Sequence, residues 1–143
     1  MSMTAKDELR CIYVIQRRIE RLKQRKEALE VNMLGVRSPA GSLSPDKVQV
    51  SLSGDKLLDA IAEIDELEMK IVSEIKRLEQ TKMEIISRIE SLDDERYRTV
   101  LYYRYVAYWK WEEIAVYMHC AVRHIYRLHG EALKQYALIE RCH

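Results

Sequence analysis

Apolar residues recur near the start of the chain at alternating steps of three and four. Between Thr4 and Leu34 they fall at Ile12, Ile15, Ile19, Leu22, Leu29 and Met33, and Lys26 takes the slot between Leu22 and Leu29. A helix gathers such positions into one stripe, so the pattern is that of a coiled-coil seam. Arg17, Arg18, Glu20, Arg21, Lys23, Gln24, Arg25 and Glu27 fill the outer faces. Gly35, Pro39, Gly41, Pro45 and Gly54 then break the helix. They predict a loop at 35–54, in which KVQVSL suits a short extended piece. A loop of that length is uncommon in a compact domain and suits a mobile connection or an attachment site.

The heptad returns from Asp55 to Leu92. Leu57, Ile61, Ile64, Ile71, Ile75, Leu78, Ile85, Ile89 and Leu92 mark its seam, interrupted by Glu68 and Lys82. Polar residues in a seam often fix register or oligomeric state. Two arrangements satisfy the two helices: an antiparallel hairpin within one chain, or pairing between chains as a homo-oligomer. Plain scaffolding accounts for either, and neither helix calls for a catalytic group.

After Leu92 the pattern shortens and becomes aromatic. Seven of the nine tyrosines and both tryptophans lie between Tyr97 and Tyr126. Three helices are predicted, over about 93–105, 111–118 and 122 to beyond 133. Asp93 or Ser91 is placed to cap the first, and Val100, Leu101 and Tyr105 face inward on it. Ile114, Ala115 and Met118 form the apolar face of the second, with Glu112 and Glu113 at its positive end. Ile125, Leu128, Ala132 and Leu133 give the third one buried stripe, and Arg123, His124, Tyr126 and Arg127 project from its other faces. The expected organisation is thus all-α: a helical hairpin or coiled coil over 1–92, then a compact helix-turn-helix domain over 93–143.

Composition narrows the chemistry. Few breakers (Gly 4, Pro 2) agree with a helical protein. Lys+Arg 24 against Asp+Glu 23 excludes a broadly basic coat, so any nucleic-acid contact must be local. The third C-terminal helix meets that condition at its leading end, where Glu131 is the only acid before Glu140. Such an end is what a recognition helix needs, since long donors must reach base edges or phosphates in the major groove. Lys110, just before the second helix, is placed for a phosphate or simply for solvent. Cys11, Cys120 and Cys142 form no CxxC pair, which points to a reducing, cytoplasmic setting. No apolar run is long enough to span a membrane, and no signal-peptide pattern opens the chain.

The segment LDDERYRTVLYYRYVAYWKWEEIAVYMHCAVRHIYRLHGEALKQY resembles region four of bacterial sigma factors over roughly the last third of the chain. Val100, Leu101, Arg104 and Tyr105 match the end of that family's first helix. Glu112, Glu113, Ile114 and Ala115 match the second, and Ile125, Glu131, Ala132 and Leu133 the third. RHIYRLHGEAL after a W-EEIA helix and a coiled coil is similar to the phage and prophage transcriptional regulators of the ArpU and RinA type. The resemblance implies a sequence-specific regulator that binds double-stranded DNA in a bacterial host cell, with RNA polymerase as a further partner. It places Val122, Arg123, Tyr126 and Arg127 at groove-reading positions and His124 at a phosphate contact. Three positions depart from the family. His119 stands where the family turns on glycine, Ala121 where it caps the recognition helix with serine or threonine, and Val122 where it has arginine. The DNA preference is therefore expected to be the chain's own.

Blander and rival readings bear on the same residues, and a plain solvated face is the alternative to DNA contact for Arg123 and Arg127. The aromatic residues lie mostly at helical spacing, which favours core packing over a base-stacking platform. His119, Cys120, His124, His129, Cys142 and His143 match no zinc spacing, and Cys120 suits a small apolar slot in the turn. No Gly-rich phosphate loop or paired-carboxylate site is present, so neither a cofactor nor an enzymatic role is expected. A small-terminase-like packaging subunit and a polymerase-binding module that never reads DNA are the alternatives to a regulator.

Overall fold

The computed structural model describes residues 3–34 and 54–139. It is all-α, with no strand among the described residues. The elements are α1 (Ala5–Leu34), α2 (Gly54–Glu90), α3 (Glu95–Leu101), a π-helical turn Tyr102–Val106, α4 (Trp111–Tyr117) and α5 (Val122–Leu138). The loop and extended piece expected at 35–54 lie outside the described residues, apart from Gly54, which opens α2. No helix among the described residues is long and apolar enough to cross a membrane.

Two compact units emerge. One is Met1–Gln16 with Arg77–His143, the other Arg17–Lys76. The boundary expected after Leu92 thus falls inside the first unit. The reason is visible at Arg88 on α2. Its guanidinium pairs with Glu8 of α1, lies 4.3 Å over the Tyr136 ring of α5, and donates to the carbonyls of Tyr136 (3.3 Å) and Ile139 (3.1 Å). One cation thereby joins the start of α1 and the end of α2 to the end of α5, whose last carbonyls need donors.

In the unit Arg17–Lys76, α1 and α2 run antiparallel. Arg18 meets Glu74 at 3.5 Å, Lys26 meets Glu68 at 3.1 Å and Arg25 meets Glu63 at 2.6 Å. Lys26 and Glu68, one polar interruption from each seam, face each other; the Glu68 carboxylate, the largest influence, holds the Lys26 amine above its ordinary range. On α2 the buried stripe is rotated from the expected seam. Ile64, Leu67 and Ile71 are buried, whereas Leu57, Ile61 and Ile75 remain 37%, 41% and 38% exposed. An apolar face wider than one partner helix leaves one edge in solvent, and periodicity alone does not say which.

In the other unit, Thr4 and Asp7 form a reciprocal cap at the start of α1. Thr4 Oγ1 accepts from the Asp7 N–H (3.1 Å) and the Asp7 carboxylate accepts from the Thr4 N–H (3.3 Å). Asp94, rather than Asp93 or Ser91, caps α3 by accepting from the Arg96 N–H at 2.8 Å. Ser91 instead donates back to the Arg88 carbonyl at 2.7 Å, within the last turn of α2. Val100, Ile114, Ala115, Ile125 and Leu128 make a buried core, with Tyr97, Tyr103, Trp109, Trp111, Met118, Cys120 and Val122 packed around it. Cys120 therefore takes the apolar slot that the sequence suggests. Tyr136, beyond the stripe expected on α5, is fully buried, while Leu133 is only half-buried.

Candidate nucleic-acid interface

The link between α4 and α5 is short because α4 ends abruptly. Met118 is the last capping residue, and His119 takes a left-handed backbone with φ 56. The Cys120 N–H donates to the Ala115 carbonyl at 3.0 Å and the His119 N–H to the Val116 carbonyl at 3.2 Å. That pair of bonds is a Schellman motif, which usually has glycine where His119 stands. Ala121 follows in extended conformation (φ −75, ψ 150) as the N-cap of α5, with no side-chain cap bond. The turn MHCA therefore folds through its backbone, and His119 and Ala121, two of the three departures from the sigma-like pattern, sit where glycine and serine would be easiest.

α5 is seated by Ile125, Leu128, Ala132 and Tyr136, all buried. That seating turns Arg123, Tyr126, Arg127, Gly130 and Lys134 outward; all five are exposed. They follow one another at helical steps on a single face, without an acid. Glu131 is drawn to the side, where its carboxylate accepts from the Tyr97 hydroxyl at 3.0 Å. Gly130 has open space around it, with nothing within 4 Å of a methyl group built there. The backbone is thus closely approachable midway along the face.

The six sequence-predicted residues fare differently. Arg123, Tyr126, Arg127 and Lys110 are exposed. Arg127 Nη2 lies 2.9 Å from His124 Nδ1, so these two side chains hold each other and His124 is half-buried. Tyr126, 51% exposed, leans edge-on to Trp111 at 5.3 Å between ring centroids. Val122, expected to read the groove, instead packs on the core beneath the helix start, because a branched apolar side chain at that position finds the core within reach. Lys134 extends the basic face one turn beyond the six; its step from Arg127 and Gly130 carries that signal in the sequence.

Behind this face lies a packed group of aromatic and basic side chains. The Arg104 guanidinium lies 4.2 Å over Trp111 and donates to the Trp109 carbonyl at 3.0 Å. His129 meets Trp111 edge-on at 4.7 Å, and its Nε2 lies 2.6 Å from the Tyr105 hydroxyl. Burial, aided by Lys6 and Arg104, pushes the His129 imidazole down to about 4. The ring is therefore neutral at pH 7 and shares one hydrogen bond with the Tyr105 hydroxyl, whose direction follows the tautomer. Tyr103, Trp109 and Tyr117 form a second cluster, with Tyr103 4.1 Å from Trp109 and 4.9 Å from Tyr117. Trp109 and Tyr117 meet edge-on, and rings engaged with one another in this way are structural rather than stacking platforms. Among the described residues no three of His, Cys, Asp or Glu stand close enough to share a metal ion; Cys142 and His143 lie outside them.

Comparison with protein-family models, with curated proteins and with solved structures gave no match to this chain.

Proposed function

We propose that this chain is a sequence-specific DNA-binding transcription regulator in which α4 and α5 act as a helix-turn-helix and α5 enters the major groove. The observation that carries the reading is the outer face of α5. Arg123, Tyr126, Arg127 and Lys134 are exposed on one acid-free face, with Gly130 open between them. The chain carries only +1 overall, so this concentration of donors is local, as groove reading requires. Arg123 and Arg127 are assigned to base edges or phosphates, Lys110, Lys134 and His124 to phosphates, and Tyr126 to sugar or base contact. The sigma-like sequence pattern supports phage or prophage genes as the targets and RNA polymerase as a further partner.

The test is binding of the full chain to fragments of its source genome, followed by footprinting of retained fragments. A protected site is expected. Arg123→Ala/Arg127→Ala should weaken that site by about tenfold or more. It should also make the dependence on salt shallower, by about one unit of log–log slope for each phosphate no longer neutralised. Absence of any protected site at low salt, with the fold intact, would refute the reading. Transcriptional activity that survives the double substitution would instead favour a polymerase contact without DNA reading.

A further inference from the structure

In the unit Arg17–Lys76, α2 carries more apolar surface than α1 covers. Leu58, Met69 and Val72 are 66%, 74% and 54% exposed, and Ile61 and Ile75 are partly so. At helical spacing these residues all lie on one flank of α2. The opposite flank holds Lys56, Asp59, Glu63, Glu66 and Lys70. Single exposed apolar side chains need no explanation, but a one-sided run on an otherwise charged helix does.

The centre of this flank has a particular order. Asp65, Met69, Val72 and Lys76 follow one another at steps of four, three and four, the spacing of a helix-pairing stripe. All four are exposed, and neither Asp65 nor Lys76 makes an ion pair among the described residues of its own chain. Read from either end, the stripe runs charge, apolar, apolar, charge, and the two charges are opposite. We propose that it is the interface for a second copy of this chain, docked antiparallel across a two-fold axis that passes α2 between Lys70 and Ile71. That axis sets Met69 against Val72 of the second copy and Asp65 against Lys76 of the second copy, each pairing occurring twice. A parallel arrangement would oppose Asp65 to Asp65 and Lys76 to Lys76, so the charges select the antiparallel one. Glu68, at the edge of the stripe, is held by Lys26 at 3.1 Å and so brings less repulsion to the contact. Met69 is unbranched and adapts to the shape it meets. The heptad seam is thus used within the chain, and association uses a different face of the same helix.

The inference stands apart from the DNA reading and is tested without DNA. Sedimentation equilibrium of the full chain across the micromolar range should show a reversible dimer. Asp65→Lys or Lys76→Asp alone puts like charges together at both ends of the stripe. Each should weaken association by about tenfold or more, since two attractive pairs become two repulsive ones. The combined Asp65→Lys/Lys76→Asp chain restores both pairs and should associate within a few-fold of the original. Circular dichroism checks that each variant keeps its helix, and Val72→Lys, a charge at the apolar centre, replaces any that does not and should likewise dissociate. A chain that is monomeric throughout overturns the proposal. So does an oligomer indifferent to both single substitutions, or a double substitution that fails to restore association.

Discussion

His129 makes the folded protein sensitive to mild acid in a way that can be isolated. Its Nε2 lies 2.6 Å from the Tyr105 hydroxyl and its ring packs edge-on to Trp111 at 4.7 Å. Burial lowers its folded-state pKa to about 4, from 6.5 in the unfolded chain. The folded state therefore binds fewer protons than the unfolded state between these two values. Stability from this group is complete above pH 6.5 and is lost as pH falls toward 4, below which it contributes nothing more. A difference of that size corresponds to at most about 3.4 kcal/mol. The ring is only half-buried, so solvent screening reduces the expected loss to about 1–2 kcal/mol. Urea unfolding followed by tryptophan fluorescence, which reports on Trp109 and Trp111 beside the site, measures it at successive pH values. His129→Gln keeps a hydrogen-bonding side chain but does not titrate, and its stability should be nearly flat over the same interval. If His129→Gln loses stability between pH 6.5 and 4 as steeply as the unaltered chain does, the assignment to this imidazole is wrong.

Other consequences are as direct. His119→Gly should raise Tm by a few degrees, because glycine holds the left-handed conformation without the cost, about 1–2 kcal/mol, borne by an L side chain, less its own added chain entropy. Ala121→Ser should stabilise the domain by about 1 kcal/mol by capping α5, and an unchanged or lowered Tm would count against the cap. Arg88→Met should cost about 1–3 kcal/mol, since it removes the guanidinium that pairs with the mostly buried Glu8 carboxylate and donates to two carbonyls near the end of α5. Adding Glu8→Leu should recover part of that loss in a double-mutant cycle, and strict additivity of the two changes would show that the pair is not coupled.

Much of the C-terminal unit is legible in the sequence because local rules act alone there. Glu112 and Glu113 mark the start of α4, and the steps from Ile125 through Leu128 to Ala132 fix which way α5 faces. That orientation in turn exposes Arg123, Tyr126 and Arg127. What is not legible depends on neighbours distant in sequence. Val122 reads as an outward residue until the core beneath it is known, and nothing local marks Tyr136 for full burial beneath Arg88. The π-helical turn at Tyr102–Val106 has no local sequence signal. It is seen in the Ala107 N–H reaching the Tyr102 carbonyl at 3.1 Å, one residue further than in an α-helix. Tyr108, with φ 61, follows it and packs on Tyr13 of α1 at 6.3 Å, a long-range contact beside a backbone that local preference disfavours.

The rotated stripe on α2 shows the same limit from the other side. The heptad pattern counts Ile61 and Ile75 as seam and passes over Leu67, although all three are apolar and at helical spacing. Apolar positions spread over more of the helix than one partner covers, so more than one stripe satisfies the period. What decides between them is charge. Glu63 and Glu74 draw Arg25 and Arg18 to one edge of the contact, and Glu68 draws Lys26 to the other. Between those edges lie Ile64, Leu67 and Ile71, which are buried, and outside them lie Leu58, Met69 and Val72, which are not. Ion pairs of this kind contribute little stability individually, but a rotation that carried these acids away from the bases of α1 would lose all three together. They therefore act as selectors. The sequence period says that α2 packs, and the placement of its acids against the bases of α1 says through which face.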